Sequence, residues 1–307
     1  MNKNTTLIID GGLGRVITAI PALEKFVQNN PDSTILISGW YGIVLGNKIL
    51  TNNVFDMHSK GIFERIKNTK IIKPEPYYNS NYLNGAISLI DAWHEEINDS
   101  KEKLPRPSIY LSDKETSSMS FIRNNYYSKI IAFQPFGSSA VITENGVTDT
   151  TYRSLTVDAA QYLIKLLRKE GYGIWLMTDR PIPFFDRNNF INAGSNDIRE
   201  TAGLLYHCDY FLGIDSSGQH VARAFDIPGT VIMGGTNTIN VTYPDFFNVL
   251  NDQDKTYMPY RLADFDWYLS ELENHDIMKF NSKQLSDMGK SILKHIKTSK
   301  NKKIMRS

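Results

Sequence analysis

The stretch LIIDGGLGRVITAIPALEKF, residues 7–26, decides the reading of the fold. Three apolar residues run into Asp10, a glycine turn follows at Gly11, Gly12 and Gly14, and an apolar helical pattern takes over from Ile20. Strand, turn and helix in that order open an α/β protein. The same grammar recurs downstream. STILISGW reads as a second strand, NVFDMH and TKIIKPEPYY as short strands, and NYLNGAISLIDAWHEEIND as one helix with Leu83, Ile87, Ile90 and Trp93 along a face.

Residues 103–129 are less regular, and the domain join is expected near 112–128. A second series follows. KIIAFQPFGSS is a strand into a Ser/Gly loop, and TVDAAQYLIKLLRKEGYG is a helix capped by Thr156. IWLMTD is a strand, and IRETAGLLYHCD is a helix with Asp197 as its cap. YFLGIDSSGQHVARAFD is strand, loop and helix, GTVIMGG is a strand, and SKQLSDMGKSILKHIK closes the chain as an amphipathic helix. Alternating strands and helices imply mostly parallel sheets with right-handed crossovers. Two such series imply two Rossmann-like domains facing a central cleft. The expected division is 1–120, 121–275, and a C-terminal helix with basic tail at 276–307. Ligands of such sheets sit beyond the carboxyl ends of the strands, where the loops DGGLGR, PFGSS, TDR, DSSGQH and GGTNT all fall.

Composition excludes several classes. In 307 residues, 34 basic and 33 acidic side chains leave a net charge of +1, so no global field draws the chain to nucleic acid or anionic lipid. The single cysteine, Cys208, permits no internal disulfide and suits a reducing compartment. No zinc-like spacing occurs. Asp252/Asp254 and Asp264/Asp266 lie off the strand ends and are not read as a metal site, so no metal is expected. There is no signal-peptide core and no apolar run long enough to span a bilayer, so the expected location is cytoplasmic, without stable membrane insertion.

The glycine turn fails two sharp tests. From Gly12 it reads Gly-Leu-Gly-Arg-Val-Ile, which is not the dinucleotide fingerprint, and Arg15-Val16 after Gly14 is not the Lys-Ser/Thr of a P-loop. GIDSSGQH fails as a nucleophile elbow, because residue 214, two before Ser216, is Ile. What remains is a strand ending in Asp215, then Ser216, Ser217 and Gly218, then a helix beginning near Gln219. Free backbone N–H groups and the helix dipole there make a seat for a diphosphate. His220 reaches a phosphate oxygen or is structural.

Taken together, GGLGRVITAIPALEKF and FLGIDSSGQHVARAFDIPGTVIMGGTN resemble the two signatures of the heptosyltransferases, glycosyltransferase family nine. The middle stretch, IAFQPFGSS through IWLMTD, fits that pattern as well. The resemblance covers roughly residues 7–50 and 129–244. It implies the GT-B fold, an inverting and metal-independent transferase with no cofactor, and a nucleotide-diphospho-sugar as co-substrate. It puts the diphosphate against Ser216, Ser217, Gly218 and His220, with Ser138 and Ser139 across from it. Arg153 stands at the family's basic phosphate contact, and Asp179 either accepts from a ribose hydroxyl or caps a turn.

Position 15 departs from the pattern. The family carries an Asp there as general base, and an Arg cannot take a proton near neutral pH. Asp10 is the replacement candidate, with turn N–H groups as its alternative partners. Arg15 is a candidate phosphate partner. Asp91 and His94 are further base candidates. The acceptor region is expected within 51–128, around Arg65, Lys67, Lys70, Lys73, Tyr77, Tyr78, Trp93 and Arg106, with Trp40 and Tyr41 just before it. A saccharide acceptor such as a cell-surface glycan fits. So does DNA with a hydroxymethylated base, as phage glycosyltransferases modify, which the Asn-, Lys- and Ile-rich composition suits. A third reading is a module that binds nucleotide-sugar without transferring it.

Overall fold

The computed structural model describes residues 4–123, 126–178, 182–191, 193, 197–251 and 277–299, with backbone alone at Pro259–Tyr260 and Tyr268–Leu269. Two compact units divide the chain, Met1–Ser112 and Asp113–Ser307.

The first unit holds β1 (Thr5–Ile9), α1 (Leu13–Asn29), β2 (Thr34–Ile37), β3 (Val54–Asp56), α2 (Ile62–Ile66), β4 (Lys70–Ile72), α3 (Ser80–Leu83) and α4 (Leu89–Asn98). Its strands form one parallel sheet in the order β3-β2-β1-β4. Leu7, Ile9, Ile35 and Ile37 from the sheet are buried, as are Ile17, Ile20 and Leu23 from α1 and Trp93 from α4. Helix α1 begins seven residues earlier than its apolar pattern suggests, directly after the glycine turn, and carries Pro21 in its interior. Proline removes one ladder N–H. The Thr18 hydroxyl bonds back to the Gly14 and Arg15 carbonyls one turn earlier, at 2.9 and 3.0 Å.

The helix expected around residues 81–99 is two helices. Asn79 caps α3 through the N–H groups of Asn81 and Tyr82, Gly85 turns the chain with φ +70°, and Ser88 caps α4 through Asp91 N–H. Caps and a left-handed glycine override the continuous apolar spacing.

The second unit opens with α5 (Asp113–Ser118), then β5 (Ile130–Gln134), β6 (Val141–Thr143), β7 (Gly146–Thr148), α6 (Val157–Lys169), β8 (Gly173–Leu176), α7 (Ile198–Tyr206), β9 (Tyr210–Ile214), α8 (Ser217–Ala224), β10 (Gly229–Ile232), α9 (Thr238–Val241), β11 (Asn248–Leu250), the pair β12 (Pro259–Tyr260) and β13 (Tyr268–Leu269), and α10 (Ser282–Thr298). The main sheet is parallel, ordered β11-β10-β9-β5-β8. β6 and β7 form a separate antiparallel hairpin between β5 and α6. Thr156 caps α6 and Asp197 caps α7 through their side chains.

The boundary falls at Ser112 because α5 belongs to the second unit, where Arg199 of α7 pairs with Glu115 at 2.7 Å. The closing helix is not a separate piece. Its Met288, Ile292 and Ile296 join the core built by Leu163, Leu167, Tyr210 and Ile232. The basic tail from residue 300 lies outside the described residues.

Candidate functional site

In the first unit, β1 delivers Asp10 to the carboxyl edge of the sheet, and Gly11 (φ +94°) turns the chain into α1. A side chain at φ near +90° is strained, which accounts for Gly11. Gly12 caps α1 without a side chain, and Gly14 lies within the helix's first turn.

Arg15 is not open to solvent; its side chain is 3% exposed. It forms a bidentate pair with Glu75, Nη1 to Oε1 at 2.6 Å and Nη2 to Oε2 at 3.0 Å. Tyr77 and Trp93 flank the guanidinium, with ring centroids at 5.1 and 4.8 Å. Trp93 Nε1 also donates to the Arg15 carbonyl at 3.2 Å. Burial acts to lower the Arg15 pKa, but the hydrogen bond to Glu75 and the charges of Tyr77, Glu75 and Asp10 raise it further, so the net shift is upward. Arg15 is a fixed cation whose two terminal nitrogens are committed to Glu75, while its Nε is buried without a partner.

Asp10 lies between two cations. Oδ2 is 3.0 Å from Lys73 Nζ and Oδ1 is 3.5 Å from Arg15 Nη2. Its hydrogen bonds do not come from the glycine turn, and Oδ1 is buried without a hydrogen-bond partner. Two acids and two bases therefore balance at one sheet edge, and the carboxylate atom left over belongs to Asp10. Glu75 was not predicted. Its signal is a lone acid between Pro74 and Pro76 directly after a strand, in a segment whose bases and aromatics drew the attention.

The other two base candidates lie elsewhere. His94 is fully buried where α4 packs on α1; Nδ1 meets Asn98 at 3.0 Å and Nε2 is buried without a partner. Burial pushes its pKa down. An acceptor hydroxyl cannot reach it. Asp91 takes the Ser88 hydroxyl at 2.9 Å and Lys103 at 2.8 Å. It serves the helix start.

In the second unit, three strand-end loops converge. Arg153 Nε donates to Thr151 Oγ1 at 2.9 Å and Nη2 to Ser139 Oγ at 3.2 Å, while Nη1 reaches the Asp215 carbonyl at 3.4 Å. Asp149, which the sequence reading passed over, organises the loop. It accepts from Ser139 at 2.9 Å, from Thr151 N at 2.9 Å and from Ser154 N at 3.1 Å, and also takes the Thr151 and Ser154 hydroxyls. Burial alone would raise its pKa. The hydrogen bonds from Ser154 and Thr151, with the Arg153 charge, bring it below the usual carboxylate value.

Asp215 is an internal anchor. It accepts from Gln219 Nε2 and Thr236 Oγ1, each at 2.9 Å, and lies 3.8 Å from Arg153. Burial raises its pKa against those partners. Gly218 is also committed, for its N–H donates to Gln134 Oε1 at 3.1 Å. A Cβ there would meet that oxygen at 2.3 Å and the Phe211 ring at 2.8 Å, so any side chain at this position forces Gln134 and Phe211 to shift. Ser138 is exposed, and Ser216 makes no side-chain cap bond at the start of α8. His220 sits in the first turn of α8 with Nδ1 2.9 Å from Tyr243 Oη. Burial lowers its pKa to about 4.

So Ser139, Arg153 and Asp215 come together, with Ser216, Ser217, Gly218 and His220 on the element that follows Asp215. Asp179 lies outside the described residues, as do Asp252, Asp254, Asp264 and Asp266. Among the described residues no group of three or more His, Cys, Asp or Glu is placed to hold a metal ion, and no helix is long and apolar enough to cross a membrane.

Solved structures share this fold. The dodecameric iron-containing heptosyltransferase TibC in complex with ADP-D-beta-D-heptose superposes with a TM-score of 0.66 at 13% identity, over 96% of this chain and 77% of that one. Escherichia coli ADP-heptose LPS heptosyltransferase II matches with a TM-score of 0.60 at 12% identity, over 95% of this chain and 99% of that one. The chain carries the heptosyltransferase fold. A family-nine glycosyltransferase of Veillonella parvula shares it as well, with a TM-score of 0.57 at 11% identity over 96% of this chain and 98% of that one. In a further TibC structure, from enterotoxigenic E. coli, the match spans 83% of this chain but 64% of that chain's length, at 14% identity and a TM-score of 0.59. No protein-family model and no curated protein sequence matches the chain. The heptosyltransferase fold is of the GT-B class, with two parallel-sheet α/β units, here built on β1–β4 and on β5 and β8–β11.

Proposed function

We propose that this chain is an inverting glycosyltransferase that moves a sugar from a nucleotide-diphospho-sugar to the hydroxyl of a saccharide acceptor. The observation that carries the reading is the donor seat of the second unit. Arg153 is held by Ser139, Thr151 and the Asp215 carbonyl beside the strand end from which α8 starts. A fixed guanidinium with serine hydroxyls and a helix start suits a diphosphate. The TibC structure with ADP-D-beta-D-heptose makes adenine nucleotides the first donors to try.

The chemistry is one displacement. The acceptor oxygen attacks the anomeric carbon from the face opposite the diphosphate. The bond from that carbon to the phosphate oxygen breaks, and the nucleoside diphosphate leaves with the electron pair. Asp10, at the carboxyl end of β1 with a side chain 22% exposed, takes the proton of the acceptor hydroxyl. Arg153, fixed before the reaction, offsets the negative charge that grows on the leaving group. No metal takes part in this scheme.

A thermal-shift series with ADP, UDP, GDP, CDP and ADP-D-beta-D-heptose tests the donor seat. A ligand at 100 times its Kd stabilises by about 2.7 kcal/mol. One nucleotide should stand out for the wild type and lose its shift in Arg153→Ala. No shift with any of them refutes the reading. Asp10→Asn should retain the shift and lose turnover, and binding without turnover in the wild type would point to a non-transferring module instead.

A further inference from the structure

The pairing of His220 with Tyr243 goes beyond the donor seat while resting on that reading. Tyr243 is held from three sides. Its carbonyl accepts from Phe246 N and Phe247 N, each at 2.9 Å. Its ring meets Phe247 edge-on at 5.9 Å, and the Arg223 guanidinium lies 5.8 Å from its centroid. Arg223 is itself tied to Asp226 at 2.7 Å and lies 4.3 Å from the Phe246 ring. The clamped phenol meets His220 edge-to-face, with centroids 5.6 Å apart, and its hydroxyl is 2.9 Å from Nδ1.

That contact has one sensible proton arrangement. Nδ1 is the one described protein acceptor of the phenol O–H, and a hydroxyl in this setting gives its proton to the acceptor in reach. A neutral imidazole that accepts at Nδ1 carries its own proton on Nε2. Nε2 makes no hydrogen bond among the described residues. His220 is 6% exposed, in the first turn of a helix whose N-cap Ser216 makes no side-chain bond.

We propose that Tyr243 is a positioning residue, which by donating to Nδ1 fixes His220 as the Nε2–H tautomer, so that a neutral imidazole donates to a phosphoryl oxygen of the nucleoside diphosphate. Burial supports this on both partners. It keeps the imidazole neutral, with a pKa of about 4, and raises the Tyr243 hydroxyl above its ordinary value so that it stays a donor. The charged groups around the pair are Arg223, Asp226 and Asp245, and Asp245 and Arg223 act on the phenol in opposite senses.

The test is two-dimensional 15N correlation spectroscopy on the full chain with labelled histidine, His220 being assigned by its loss in His220→Gln, together with ADP titration calorimetry. Wild type should show a protonated Nε2 and a bare Nδ1 from pH 6 to 8. Tyr243→Phe should show both tautomers and bind ADP about five- to tenfold more weakly, the effect of one misplaced hydrogen bond. His220→Gln offers an amide N–H that does not depend on Tyr243, so Tyr243→Phe in that background should bind ADP like His220→Gln alone. A protonated Nδ1 in wild type overturns the proposal. So does unchanged ADP affinity in Tyr243→Phe, or an equal loss in both backgrounds, which would mark Tyr243 as structural. If wild type binds none of ADP, UDP, GDP and CDP, the donor reading falls and this proposal with it, whereas binding that ignores Tyr243 removes this proposal alone.

Discussion

Glu75→Gln probes why an arginine is tolerated at position 15. The substitution keeps the shape and one acceptor oxygen but removes the charge that faces Arg15 at 2.6 Å. The Arg15 side chain is 3% exposed, so water cannot replace the lost partner. Breaking a buried pair from one side typically costs about 3–5 kcal/mol. Asp10, at 3.5 Å, and the faces of Tyr77 and Trp93 remain as partial compensation, which puts the expectation at about 3 kcal/mol. With a urea m-value of about 1–3 kcal/mol/M, the midpoint of the transition that reports the first unit should fall by about 1 M or more. The double variant Arg15→Met, Glu75→Gln removes the stranded charge and should recover most of the loss, because apolar replacement of both members of a buried pair is often neutral. Urea denaturation followed by fluorescence in a background with Trp40, Trp175 and Trp267 replaced by Phe, so that Trp93 alone reports, reads both quantities over a double-mutant cycle. A loss under about 1 kcal/mol in Glu75→Gln, or a double variant no better than the single, refutes the argument that the pair is mutually required.

Three further outcomes follow from the same coordinates. Folded His220, with a pKa of about 4, lies below the unfolded value of about 6.5, so the unfolded chain binds the proton first. Stability from this group is present above pH 6.5 and falls by about 2–3 kcal/mol by pH 4.5, read as the difference between wild type and His220→Gln in urea titrations on either side of that window. Gly218→Ala drives a Cβ into Gln134 Oε1 and the Phe211 ring; it should destabilise the second unit by about 1–3 kcal/mol and weaken ADP binding, both measurable on one sample by calorimetry. Asp149→Ala removes the acceptor of Ser139, Thr151 and Ser154, so the Arg153 loop should loosen and ADP affinity should fall at least tenfold, with unchanged affinity contradicting the organising role.

Much of the architecture was legible before any coordinates. Apolar runs of strand length and helical spacing depend on local steric and solvent preferences, so the order of strands and helices, the caps at Thr156 and Asp197, and the strand-end loops could all be read along the chain. Local reading failed where neighbouring signals competed. Asn79, Gly85 and Ser88 split one apparent helix into two, and Leu13 rather than Ile20 began α1 because the glycine turn leads straight into it.

The site divides along the same line. Sequence alone determined that Asp10 follows the apolar run of a strand, that Ser139 lies in a loop after a strand, and that a Ser/Ser/Gly turn after Asp215 leads into a helix. Tertiary structure decided what those side chains do, because pairing across sixty or more residues leaves no periodic trace. Arg15 finds Glu75, and Arg153 finds Asp215, only when separate strand ends meet at one sheet edge. Burial then changes the meaning of each charge: Arg15 becomes an internal counter-ion, Asp215 an anchor, and Asp10 the carboxylate held between Arg15 and Lys73.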